Sequence, residues 1–197
     1  MKYRSGNLAS VANALKRLGA GYLVTDEAER LEHCDAVIFP GVGHAAPAME
    51  DLRNLGLDQW LKMTDKPVLG ICLGMQLLFE STPEGDCRTL GLLPGRLEKF
   101  KPNSIKVPHM GWNHLEQIKN HPLLNGLGEE DFFYFVHSYF APVTEYTLAA
   151  GRYGDLFSAV VAKKNLMGVQ FHPEKSSRSG RRLLSNFLDL AGSSEGN

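Results

Sequence analysis

Two unbroken apolar runs, Ala36-Val37-Ile38-Phe39 and Pro67-Val68-Leu69-Gly70-Ile71, constrain this chain more than any other feature. A strand with one face in water alternates apolar and polar residues. A run without alternation, closed by glycine, instead marks a strand buried on both faces, as in parallel sheet. Each run leads into helical periodicity: Met49, Leu52, Leu57, Trp60 and Leu61 lie in one or two helices between Ala45 and Met63, and Met75, Gln76, Leu77, Leu78 and Phe79 follow the second run. Ahead of both, Leu8, Val11, Leu15 and Leu18 recur at helical spacing behind a Gly6-Asn7 cap and stop at Gly19, after which Tyr22-Leu23-Val24 lead to Asp26. Repeated strand-then-helix order predicts an α/β fold, a mostly parallel central sheet flanked by helices on both faces.

The second half reads differently. Short strand-like runs (96–100, 132–136, 146–150, 157–162 and 167–171) are divided by Gly and Pro, and a final amphipathic helix spans about 180–190. At 197 residues the chain is expected to form one domain over residues 1–191, with 192–197 a disordered tail. Its 21 Lys+Arg against 22 Asp+Glu leave a net charge of -1, too little field to gather nucleic acid or an anionic membrane. The apolar runs fall far short of a bilayer span and the N-terminus has no signal-peptide core, so the expected setting is cytoplasmic. Three widely spaced cysteines, Cys34, Cys72 and Cys87, argue against a disulfide framework or a thiolate zinc site.

One cysteine has a special setting. Gly70-Ile71-Cys72-Leu73-Gly74 places Cys72 where a buried strand turns into a helix, with a glycine two positions to either side. Glycines admit a strained turn that lifts the thiol above the sheet edge, while N–H groups opening the next helix, that of Leu73 first, face the developing oxyanion. For Cys34 and Cys87 the plain reading, a small hydrophobe, stands. A nucleophilic thiol needs a base. Of seven histidines (His33, His44, His109, His114, His121, His137 and His172), His172 alone has an orienter built in: in Val169-Gln170-Phe171-His172-Pro173-Glu174, extended residues i and i+2 share a side, so Glu174 falls beside the imidazole. Pro40-Gly41-Val42-Gly43 closes the first run, where glycines can turn N–H groups toward an oxyanion or simply make a turn. No histidine spacing suits a metal.

Gly70 to Gln76, followed far downstream by His172-Pro173-Glu174, resembles the class I (triad) glutamine amidotransferases, and the resemblance covers nearly the whole chain. Pro108-His109-Met110-Gly111-Trp112-Asn113, Tyr134 to Tyr139 and Phe171 to Ser176 are similar to the glutaminase subunits that serve imidazole glycerol phosphate synthesis, in histidine biosynthesis. The resemblance implies that Cys72 attacks the glutamine carboxamide, His172 shuttles the proton and Glu174 orients it. It implies that Gln76, Glu84, His137, Ser138 and Tyr139 hold the amino-acid end of glutamine, and that Gly41, Val42, Gly43 and Leu73 form the oxyanion site. It implies no cofactor and no metal, and a heterodimer with a cyclase subunit, a (β/α)8 barrel that takes the ammonia. Trp112 and Asn113 are assigned to that interface, against the plain reading of a core tryptophan on a strand. A glutaminase for pyridoxal phosphate, anthranilate or purine synthesis is the nearest alternative, against which the Pro108 to Asn113 motif speaks. A cysteine peptidase would need a peptide groove, and an inactive binding module would not need the triad. The family opens with an apolar first strand, whereas only Met1-Lys2-Tyr3-Arg4-Ser5 precede Gly6, so that strand is expected to be short or missing.

Overall fold

The structure, a computed structural model, describes residues 1–4, 7–102 and 105–192. Its first half alternates helix and strand: α1 (Leu8–Arg17), α2 (Ala28–Glu32), β1 (Val37–Gly41), α3 (Ala45–Asn54), α4 (Leu57–Met63), β2 (Val68–Cys72) and the single turn α5 (Leu73–Gln76). Strands dominate the second half, with β3 (Ser81–Thr82), β4 (Cys87–Arg88), β5 (Glu98–Lys99), β6 (His109–His114), β7 (Phe132–His137), β8 (Tyr139–Phe140), β9 (Thr147–Tyr153), β10 (Asp155–Lys163) and β11 (Leu166–Val169), before the closing helix α6 (Ser177–Gly192).

The central sheet runs β1-β2-β11-β10-β9. Strands β1, β2 and β11 are mutually parallel, while β10 and β9 extend the sheet as an antiparallel hairpin. The two unbroken runs become β1 and β2, and their lack of alternation has the expected cause, because both faces are covered. On one face Val37, Phe39 and Val68 meet Met49 and Leu52 of α3 and Leu57, Trp60 and Leu61 of α4. On the other, Leu69 and Ile71 meet Val11 and Leu15 of α1 and Leu183, Leu184 and Phe187 of α6. Three smaller pairs, β3-β4, β5-β8 and β6-β7, sit outside this sheet.

Three expectations need correction. The helix expected through Phe79 ends at Gln76, because the carbonyls of Leu77, Leu78 and Phe79 accept hydrogen bonds from the backbone N–H groups of Leu90, Leu92, Leu93 and Gly91 rather than from a further helical turn. Strand β6 was not foreseen, although its burial alternates from His109 inward to Met110 outward and Trp112 outward. Helix α6 begins at Ser177 and includes Gly192, the first residue of the expected tail; residues 193–197, like Gly6 of the expected cap, lie outside the described residues. No strand precedes β1 among the described residues, yet the polar-looking start is not solvated: Met1 and Tyr3 are buried in the core, the Met1 amino group donates to the Ile38 carbonyl at 3.0 Å, and the Lys2 N–H donates to the Thr25 carbonyl at 2.7 Å.

Candidate active site

Strand β2 delivers Cys72 to the carboxyl edge of the sheet, level with Gly41 at the end of β1. Its backbone sits at φ 54°, ψ -111°, a strained conformation for a residue with a side chain. The flanking glycines explain how the strain is held. A Cβ on Gly74 would stand 1.8 Å from the Phe39 carbonyl oxygen, and one on Gly70 would stand 2.7 Å from the Met75 nitrogen, so the backbone of α5 lies directly on β1 and β2. Cys72 is buried, with its sulfur 3.8 Å from the Val136 carbonyl oxygen and 3.8 Å from Gln170 Nε2.

The histidine arrives from the neighbouring strand. β11 ends at Val169, two residues short of the expected Phe171, and Pro173, which has no N–H to continue a ladder, opens a 3-10 turn over Pro173–Lys175. The His172–Glu174 pair is therefore made across a turn, with Nδ1 2.9 Å from Glu174 Oε1 and both side chains almost wholly buried. His172 is pushed up to about 10: burial opposes the charge, but the hydrogen bonds and charges of the Cys72 sulfur and the Glu174 carboxylate outweigh it. The ring is an imidazolium at neutral pH, and with Nδ1 committed to Glu174 the contact with sulfur falls to Nε2. A protonated imidazole beside a sulfur is the setting in which cysteine nucleophiles work.

These groups open on a cavity of about 350 Å³, lined on one side by Val42, Gly43, Leu73, Gln76 and Glu84 and on the other by His137, Ser138, Tyr139 and His172. Gln76 donates from Nε2 to the Tyr139 carbonyl at 2.8 Å and to Gln170 Oε1 at 2.9 Å. Glu84 has a second task, since its carboxylate accepts from the Ala45 N–H at the start of α3 and meets His44 Nδ1 at 3.0 Å. Gly43 lines the cavity at φ +92°, where glycine is favoured. Gly41 differs from the expectation: it does not line the cavity, and its missing side chain instead admits Tyr3 and Leu73, whose atoms would lie 2.4 and 2.9 Å from a Cβ.

Trp112 is 55% exposed, which overturns the reading of it as core, and with Met110 and Phe132 it forms an apolar patch on the β6-β7 hairpin. Asn113 points the other way, donating to the Arg152 carbonyl at 2.9 Å. Sequence reasoning missed Gln170, fully buried between Gln76 and Cys72, and the histidine pair described below. The available signal for Gln170 was a polar residue inside the apolar run Val169 to Phe171. Among the described residues, no cluster of three His, Cys, Asp or Glu is placed to hold a metal, and no helix is long and apolar enough to cross a membrane.

Residues 3–191 match the family described as glutamine amidotransferase class-I. Similar proteins include those named imidazole glycerol phosphate synthase subunit HisH from Xanthomonas euvesicatoria (50% identical, covering 94% of this chain and 93% of that one) and Bacteroides fragilis (46% identical, covering 96% and 97%). A third, of the same name, comes from Colwellia psychrerythraea at 45% identity, covering 93% and 88%. A crystal structure of a glutamine amidotransferase superposes with a TM-score of 0.73 at 25% identity over 95% of each chain.

Proposed function

The chain belongs to the class-I glutamine amidotransferases, and from that premise we propose that it is the glutaminase subunit of an imidazole glycerol phosphate synthase, hydrolysing glutamine and handing ammonia to a separate cyclase subunit. The observation that carries the chemistry is a buried Cys72 on a strained elbow beside His172, whose Nδ1 Glu174 holds from behind. The choice of synthase rests on the shared name of relatives 45–50% identical over nearly the full length.

On this reading the Cys72 thiolate attacks the carboxamide carbon, and the oxyanion turns toward the Leu73 N–H and the 41–43 segment. As the tetrahedral species collapses, the C–N bond breaks and His172 gives its proton to the leaving nitrogen, which departs as ammonia. Water then yields a proton to His172 and attacks the thioester, releasing glutamate and restoring the thiolate and imidazolium. Gln76, Glu84 and His137 to Tyr139 line the part of the cavity assigned to the amino-acid end of glutamine. The exposed Met110, Trp112 and Phe132 suit an apolar docking surface for the cyclase subunit, with Trp112 as its anchor. The same reading assigns the protein to the cytoplasm.

The test is glutamate release from glutamine, measured for the chain alone, with the purified cyclase subunit, and with that subunit holding its ribotide ligand. Release that rises on each addition supports the proposal. A chain that binds no cyclase subunit and releases glutamate at the same rate in all three mixtures belongs to another amidotransferase.

A further inference from the structure

At the far wall of the cavity lie two paired histidines, His137, which lines it, and His109 behind, to which the glutaminase chemistry gives no role. His109, at the start of β6, and His137, at the end of β7, are buried and directly opposite in register, with His109 Nδ1 2.9 Å from His137 Nε2. His137 Nδ1 is 2.9 Å from the Tyr139 carbonyl oxygen. A carbonyl can only accept, so His137 carries its proton on Nδ1 and presents a bare Nε2. His109 must then donate from Nδ1, which leaves its own Nε2 bare, and that atom faces Asn113 Nδ2 at 3.4 Å. One set of tautomers satisfies every contact, and both rings are neutral in it. Burial, the first cause in each case, pushes His109 down to about 4 and His137 down to about 3, in line with this assignment. The arrangement is clamped sterically, because His109 stacks on Tyr153 at 4.1 Å and on Phe135 at 5.0 Å between ring centroids.

The Tyr139 carbonyl also accepts from Gln76, whose amide reaches Gln170 and through it the Cys72 sulfur. We propose that His109 is a positioning residue for the glutamine pocket: its Nδ1–H, given to His137, holds a one-way file of hydrogen bonds from Asn113 on the β6 strand to the Tyr139 carbonyl, which the Gln76 amide meets from the other side as a second donor. The file ties the inner side of the strand that exposes Trp112 to the cavity wall assigned to the amino-acid end of the substrate. It fixes where His137 and Gln76 stand beside the Cys72 sulfur. This inference rests on the glutaminase reading for its kinetic consequence, but not for the hydrogen-bond assignment.

Two substitutions separate the file from mere filling of space. Asn in place of histidine offers Nδ2–H where Nδ1–H stood, in a smaller side chain; Phe keeps the stacked ring and cannot donate. With the cyclase subunit present, His109→Phe should raise KM for glutamine roughly five- to tenfold, the worth of about one buried neutral hydrogen bond, with kcat within about twofold. His109→Asn should recover most of that loss. The opposite order, Phe near normal and Asn impaired, would mean that His109 only fills volume and would overturn the proposal. Nitrogen-15 spectra of the unsubstituted protein, with histidine ring nitrogens labelled, give a reading independent of activity: His109 and His137 should each show a protonated Nδ1 and a bare Nε2. A proton on His137 Nε2 would refute the file even if the enzyme is active, while an inactive protein with the expected spectrum would count against the glutaminase reading instead.

Discussion

The two walls of the cavity are built on different principles. The elbow wall, Val42 to Gly43 and Cys72 to Gln76, is held by backbone meeting backbone: parallel strands end level with each other behind it, and glycine at 70 and 74 lets α5 rest on them. The opposite wall, from Val136 to Tyr139, hangs from the β6-β7 hairpin, and its inner side is held by a file of polar side chains. The first wall leaves no room for a Cβ at 70 or 74. The second depends on side chains that stack and hydrogen-bond across the hairpin.

The nucleophile is the most sensitive point of the elbow wall. Cys72→Ala should lower glutamine-driven turnover about a thousandfold or more while ammonia-driven turnover of the complex survives, because added ammonium replaces the missing product. Glu174→Gln should cost less, since it removes the charge behind His172 but keeps an acceptor for Nδ1. Loss of both activities in Cys72→Ala, seen in paired steady-state assays, would give Cys72 a structural role instead.

Next in size is the elbow's packing. Gly74→Ala drives a Cβ into the Phe39 carbonyl, and neither partner is a flexible side chain, so denaturant titration should register a loss of about 3 kcal/mol or more. A loss under 1 kcal/mol would mean that the two backbones separate easily.

The buried histidines should also respond to opposite ends of the pH scale. Unfolded imidazoles take up protons near 6.5, whereas folded His109 and His137 do so only near 4 and 3, so the unfolded chain binds more protons in between and stability falls as pH drops below 6.5. The slope approaches ~1.4 kcal/mol per pH unit for each ring. His172 behaves conversely: held up to about 10, it contributes stability that is fully present below 6.5 and is lost as pH rises through 10. Urea midpoints measured from pH 5 to 10 should therefore decline at both ends. A flat acid limb would contradict the neutral histidine pair.

The smallest expected change in fold stability comes from the outer side of the second wall. Trp112→Ala removes an exposed ring and should alter the denaturation free energy by roughly 0.5 kcal/mol or less while weakening capture of the cyclase subunit. If titration calorimetry found unchanged affinity, the β6-β7 patch would lose its assignment as the docking surface.

Whatever depends on a residue and its near neighbours was legible along the chain. Unbroken runs became β1 and β2, glycine spacing marked the elbow at Cys72, and His-Pro-Glu paired His172 with Glu174 across two residues. Backbone preference and burial period act over a few residues, so they can be read along the chain. Tertiary structure decided the rest. Helix α5 stops at Gln76 because carbonyls just beyond it find partners at residues 90–93; Gln76 meets Tyr139 and Gln170 across 63 and 94 residues; His109 meets His137 across 28. No local preference selects such partners. A buried polar group accepts whichever complementary atom the folded chain brings within hydrogen-bond distance, and that is decided only when the sheet and its hairpins close around it.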